Sequence, residues 1–302
     1  MAGRAHLTRR SAKVTPGVLA LATLTLGTLV LWLAARPGGE PGTRFLGELF
    51  GVEAVVLFSC SLVLATLLPI IEAAFGGLDR VALWHRRVAI AGLLVLLPHV
   101  ALVSSPADPF ATSLGQGLGD LALAGLALLG VWALAPRLRA ARWPGPIRRM
   151  ARATYEHWLT AHRLTGLFVA MAVAHGAIVD PVLHRSSLLR VVFLIIGGTG
   201  VAAYLYRELF ARYVVPIYDY TVADVRRLND STLEVGLDPV REPLSFVAGQ
   251  FVFLAFGGFG GWQRHPFTVS SRPGDARVTV HVRPAADDER VGQGPTSRWS
   301  AR

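Results

Sequence analysis

Apolar positions in the first two thirds of the chain come in unbroken runs rather than in periodic stripes. Six runs stand out: Gly17–Ala35, Leu49–Ala74, Val88–Ser104, Leu118–Ala135, Leu159–Val179 and Leu188–Tyr206. Each is about 18 residues or longer, the length a helix needs to cross roughly 30 Å of hydrocarbon. After Phe210 the texture changes to short alternating segments separated by turn residues, and no further span appears. The pattern predicts a six-helix all-α membrane bundle over 17–210 and a small, incomplete antiparallel β-barrel over 214–284. A short segment, 1–16, precedes the bundle. The tail, 285–302, has almost no apolar content and reads as disordered.

The net charge of +10 raises the question of a nucleic-acid partner, and its distribution answers it. With the N-terminus inside, Arg4, Arg9, Arg10, Lys13, Arg80, Arg86, Arg87, Arg137, Arg139, Arg142, Arg148, Arg149 and Arg152 lie on the inner side, and only Arg36, Arg44, Arg185 and Arg190 on the outer. Thirteen basic residues against four is a positive-inside bias. The charge therefore encodes topology: a multi-pass protein of the cell membrane with both termini cytoplasmic, the bilayer as its surroundings and no nucleic acid. The first run is long for the apolar core of a signal peptide and no small-x-small site follows it, so it is read as a helix. The single cysteine, Cys60, lies inside the second run. It excludes an intramolecular disulfide, a cysteine-rich cluster and covalent haem attachment.

Ionisable residues inside a membrane are costly and point to function. The third span contains His85 and, fourteen residues on, His99; the fifth contains His162 and, thirteen residues on, His175. Each separation is roughly 20 Å of helix. Spans three and five run in the same direction, so His85 is level with His162 near the inner face and His99 with His175 further out. Two levels with two imidazoles each suit two six-coordinate haems. Histidine also serves as polar glue between membrane helices, but four at matched depths are harder to explain that way. At 100° per residue, a spacing of 14 leaves side chains about 40° apart and a spacing of 13 about 140° apart. Span five must then be locally distorted or approach the two haems from different sides. His157, eighteen residues before His175, lies on the same face and competes with His162. Arg86 and Arg163 directly follow the inner histidines, placed either to pair with haem propionates or as ordinary inner-face anchors.

The C-terminal part reads as strands over Tyr220–Arg226, Thr232–Leu237, Gln250–Phe256, Phe267–Ser270 and Arg277–Arg283. The stretches Gly249-Gln250-Phe251 and His265-Pro266-Phe267-Thr268-Val269-Ser270-Ser271 place an aromatic and hydroxyls on one strand. Such a strand can pack on a flavin ring, or be a hairpin with an ordinary wet face.

With these residues in view, the chain resembles the ferric reductase and NADPH oxidase superfamily over roughly 45–284. The carriers of the resemblance are the histidine pairs on spans three and five and the His265–Ser271 segment, which matches the family's H-P-F-T-[IVL]-[ST]-S flavin motif after a G-Q-F strand. The resemblance implies two haem b groups and FAD as cofactors. It implies His85 and His162 as axial ligands of the inner haem iron, and His99 and His175 as those of the outer. It further implies Phe168 as an aromatic between the haems. His265, Pro266, Phe267, Thr268, Ser270 and Ser271 fall on the FAD motif, and Arg283 faces the FAD pyrophosphate. It settles the competition between His157 and His162 towards His162.

The implied activity is electron transfer from cytoplasmic FAD through two haems to an external acceptor, ferric iron or oxygen. After Arg283 the sequence departs from the family: Pro284-Ala285-Ala286-Asp287-Asp288-Glu289-Arg290 stands where a phosphate loop is expected, and no Gly-rich nicotinamide unit follows. The expectation is a truncated or frameshifted product, or a short form served by a separate NAD(P)H-dependent reductase. Two competing readings are a haem-binding subunit without its own catalysis and a transporter whose histidines line an ion path.

Overall fold

The computed structural model describes residues 14–36, 38–39, 41–103, 113–134, 155–211, 217–246, 250–256, 263–283 and 300–301. The chain divides into two compact units, Met1–Arg212 and Tyr213–Arg302.

The first unit is helical: α1 (Pro16–Ala34), α2 (Gly42–Leu64), α3 (Pro69–Phe75), α4 (Leu78–Val103), α5 (Ser113–Leu134), α6 (Tyr155–His162), α7 (Thr165–Val179), α8 (Pro181–Arg185) and α9 (Ser187–Leu205), which ends in a π-helical turn, Tyr206–Phe210. Six segments among the described residues are long and apolar enough to cross a membrane: α1, α2, α4, α5, α6 with α7, and α9 with its π turn. This is a multi-pass membrane protein.

The hub is α2. Two thirds of its apolar window (67%) is buried inside the bundle, against 11–28% for the other five. Its residues Phe45, Leu49, Val52, Val56 and Cys60 meet Trp32 of α1, Val173 of α7 and Phe193 of α9 in one buried cluster. The remaining apolar surface, such as Leu94, Leu97, Leu121 and Ile195, points outward, as helices bathed in lipid require. The α2–α9 crossing depends on Gly200: a Cβ there would lie 2.7 Å from the Ser59 Cα, so two backbones touch. Gly200→Val is expected to destabilise the bundle by about 1–3 kcal/mol, the usual effect of overpacking. A thermal melt in detergent that left the midpoint unchanged would contradict this contact.

Three boundaries differ from the sequence reading, each for a local reason. The run Leu49–Ala74 is not one helix. The chain leaves α2 after Leu64, turns at Leu67 with φ 54°, and restarts at Pro69, a residue suited to a first helical turn. Hydropathy does not register this turn because its residues are apolar too. The third span begins at Leu78, ten residues earlier than its apolar run, so the Trp84–Arg87 segment is helical. The fifth is interrupted: α6 stops at His162, Arg163 and Leu164 form a turn, and α7 starts at Thr165. That break is a local distortion, one of the two alternatives that the thirteen-residue spacing left open.

The second unit is an antiparallel sheet of β1 (Tyr220–Asn229), β2 (Thr232–Pro239), β3 (Phe251–Phe256), β4 (Gln263–Thr268), β5 (Val278–Val282) and β6 (Ser300–Ala301), in the order β4-β3-β6-β1-β2-β5. Tyr220, Val235, Leu237, Phe246, Leu254, Val269, Val278 and Val280 form its core. The edge strands approach through a Val269–Val280 bridge, but the described ladder does not close into a barrel. β4 starts four residues before the Phe267 expected from the sequence. Gln263 to Pro266 lack apolar alternation and are extended by pairing with β3, Leu254 opposite His265 and Phe253 opposite Pro266. Proline is tolerated there because β4 is an edge strand. Within the tail read as disordered, Ser300 and Ala301 pair with Thr221 and Tyr220.

Candidate cofactor site

The parallel directions of α4 and α6–α7 bring the four intramembrane histidines together in two pairs. At the first level the ring centres of His85 and His162 are 6.2 Å apart, with planes at 88°. At the second level those of His99 and His175 are 6.4 Å apart, with planes at 80°. His157, the competitor for the first level, is exposed on α6.

Three of these rings are oriented by a backbone carbonyl from another helix. His85 Nδ1 donates to Ser61 O at 2.9 Å, His99 Nδ1 to Gly47 O at 2.9 Å, and His175 Nδ1 to Gly115 O at 2.8 Å. A carbonyl only accepts, so Nδ1 carries the proton and Nε2 keeps its lone pair. This is the arrangement of a metal-ligating histidine, whose far nitrogen is fixed from behind. Pro98 precedes His99 inside α4. It lacks an N–H and so loosens the helix one turn below His99.

Glycines make room for the second pair. A Cβ on Gly51 would fall 2.6 Å from His99 Nδ1, and one on Gly119 2.7 Å from His175 Nδ1. Both line a cavity of about 330 Å³ together with His99, His175, Glu48 and Asp120. Phe168 lies between the two levels on α7. Its ring fills the space over Gly125 and joins a cluster with Phe58, Leu62, Leu126 and Val169. Arg86 is exposed. Arg163 is held by Glu208 in the π turn, through Nε at 2.7 Å and through its Nη2.

Two features had no signal in the sequence. Trp158 stacks on His162, ring centres 4.9 Å apart and planes at 14°. Asp180, in the link between α7 and α8, is buried and hydrogen-bonds the Glu48 carboxyl as well as the N–H groups of Val182 (2.8 Å) and Leu183 (3.1 Å). Burial pushes its carboxyl up to about 6, against the opposing pull of the Leu183 and Val182 N–H groups, Glu48 and His184. The folded state thus holds the proton more tightly than the unfolded chain does. The resulting stabilisation is complete below the ordinary pKa of 3.8 and is lost as pH rises through about 6. Asp180→Asn is expected to flatten that fall in thermal midpoint; an unchanged slope would place its origin elsewhere.

In the second unit, Phe267 packs against the sheet core while Thr268 and Ser270 are exposed beside it. Ser270 N donates to Thr279 O at 2.8 Å, and Thr279 N to Ser271 Oγ at 3.1 Å, so the motif is tied to β5. Arg283 is exposed just past the end of β5. Gly249 and the side chains of His265 and Pro266 lie outside the described residues.

Residues 217–298 match the family of FAD-binding domains; the match runs past Arg283, through the segment read from the sequence as a departure. Over 150 residues, 48% of this chain, the sequence is 24% identical to respiratory burst oxidase homolog protein A of Arabidopsis thaliana, and that stretch covers 15% of the plant protein. The crystal structure of flavohemoglobin from Malassezia yamatoensis with bound FAD and heme aligns with 93% of this chain and 63% of its own, at 11% identity. The TM-score of that alignment is 0.30. Residues 217–298 are therefore similar to FAD-binding domains, with a likeness to the ferric reductase and NADPH oxidase type, and the chain that carries them is a multi-pass membrane protein.

Proposed function

We propose that this protein is a transmembrane oxidoreductase that passes electrons from FAD, through b-type haems at the two histidine levels, to an acceptor such as ferric iron or oxygen. The observation that carries the reading is the spacing of the imidazoles. An axis of two metal–nitrogen bonds of about 2.0–2.1 Å sets the ring centres roughly 6.3 Å apart. The observed 6.2 and 6.4 Å match it at both levels.

His85 and His162 would hold one haem iron, His99 and His175 the other. Bound haem and FAD supply the one-electron chemistry that amino-acid side chains lack. The chain's own part is placement. Carbonyls of Ser61, Gly47 and Gly115 keep three imidazoles in the ligating tautomer. Phe168 and its cluster make the space between the levels apolar. Thr268 and Ser270 offer hydroxyls to a flavin, and Arg283 a charge for its pyrophosphate. The positive-inside bias puts the flavin domain in the cytoplasm and the second level towards the far face.

The test uses the full chain purified in detergent. Two b-type haems per chain are expected in the reduced-minus-oxidised spectrum, and chemically reduced FAD should reduce them. A chain that takes up no haem overturns the reading and leaves the histidines as lining of an ion path. A haem-loaded chain that reduced FAD cannot reduce would be a haem-binding subunit only.

A further inference from the structure

His162 is held differently from the other three histidines. Its Nδ1 faces the Thr165 hydroxyl at 3.5 Å, within its own span, where the others have a carbonyl of another helix at 2.8–2.9 Å. It is also the last residue of α6, so the helical backbone gives way to a turn directly after it. A long hydroxyl contact next to a helix break fixes the ring weakly, yet the His162 plane stands at 88° to that of His85.

What lies on the ring is Trp158, one helical turn earlier on α6. The indole and imidazole planes are within 14° of parallel, with centres 4.9 Å apart, an offset-stacked contact. Indole is large and stiff, and because helical side chains lean toward the N-terminus, the ring at i+4 lies back against its face. Arg163, gripped by Glu208, pins the turn that follows, so His162 sits between an aromatic wall and a clamped backbone.

We propose that Trp158 is the positioning residue of the first-level site, its ring face setting the plane of His162 as backbone carbonyls set those of the other three histidines. The inference rests on the haem reading above. It assigns the first level an orientation device that acts through a ring face, whereas both second-level rings are held by hydrogen bonds to backbone carbonyls. Removing the aromatic face should then disturb one haem and spare the other.

The experiment compares Trp158→Phe with Trp158→Leu in the full, haem-loaded chain. Leucine fills much of the space without a π face; phenylalanine keeps the face. The readout is the low-temperature electron paramagnetic resonance spectrum of the oxidised protein, whose low-spin signals report the angle between axial imidazole planes, together with haem retention at each level. Trp158→Leu is expected to shift one of two signals and weaken haem retention at that level by about 10-fold, within the range for changes behind a metal ligand. Trp158→Phe should keep the original signal. If leucine and phenylalanine behave alike, the tryptophan is packing only and the proposal falls. Loss of both signals in the leucine variant, or of neither, overturns it as well. A wild-type chain without haem refutes the proposed function itself, a result distinct from all of these.

Discussion

His99→Ala and His175→Ala are each expected to leave the purified chain with one b-type haem instead of two, and to stop electron passage beyond the first level. At the second level the two imidazoles are 6.4 Å apart, and among the described residues no third histidine lines the cavity beside them. Changes to groups that merely stand behind a ligand weaken metal binding by about 10–100-fold, so loss of the ligand itself should exceed that range. Among the described residues no ring contact joins the first level to the second, so the first level's spectrum should persist in both variants. His85→Ala and His162→Ala should give the mirror image, keeping only the second-level haem. A finer arm uses space instead of ligation: Gly119→Val leaves every histidine in place but drives a side chain into His175. It should reproduce the His175→Ala spectrum in weaker form. Two haems retained in His99→Ala would overturn the ligand assignment, and a Gly119→Val protein with a normal spectrum would show that the ring can yield.

How much of this was legible in the sequence depends on what each feature is made of. Spans are written in run length, and six of them could be counted without a structure. Depth is written in residue spacing along parallel helices, so His85 could be set level with His162 and His99 with His175. The thirteen-residue interval called for either a local distortion or an approach from different sides, and the structure has a break at Arg163–Leu164. The site's supports, in contrast, are backbone carbonyls of Ser61, Gly47 and Gly115. Every residue has a carbonyl, so nothing in the residue type marks one that will receive an imidazole proton. Gly51 and Gly119 did leave a trace, as glycines inside apolar helices where none is needed for a turn. Reading them as clearance for His99 and His175 requires knowing which helix packs on which. The turn after α2 was hidden for another reason: its residues are as apolar as the spans beside it. Trp158 was hidden by familiarity, since a tryptophan near a membrane face is ordinary and only the stacking geometry distinguishes it.

The second large effect is expected at the other end of the electron path. Arg283→Ala should weaken FAD binding by about 10–100-fold, the worth of a hydrogen bond to a charged group at roughly 1.5–3 kcal/mol. Thr268→Ala should weaken it by about 5-fold, a neutral contact being worth roughly 1 kcal/mol. The ordering follows from chemistry: a pyrophosphate is doubly charged and a guanidinium can grip it with two bonds, while a hydroxyl offers the flavin one neutral contact. Both side chains are exposed and neither belongs to the sheet core, so the domain should fold without them. Fluorescence titration of the full chain with FAD measures the affinity. The haem spectrum of the same sample shows whether the membrane unit is intact. Both haems should persist while flavin-driven haem reduction falls in proportion to FAD occupancy. Saturating FAD should then restore it, because Arg283 acts in binding and not in the electron's path. An Arg283→Ala protein that binds FAD normally would move the pyrophosphate contact elsewhere in 217–298. One that binds FAD but fails to reduce haem at saturation would instead make Arg283 part of the transfer itself.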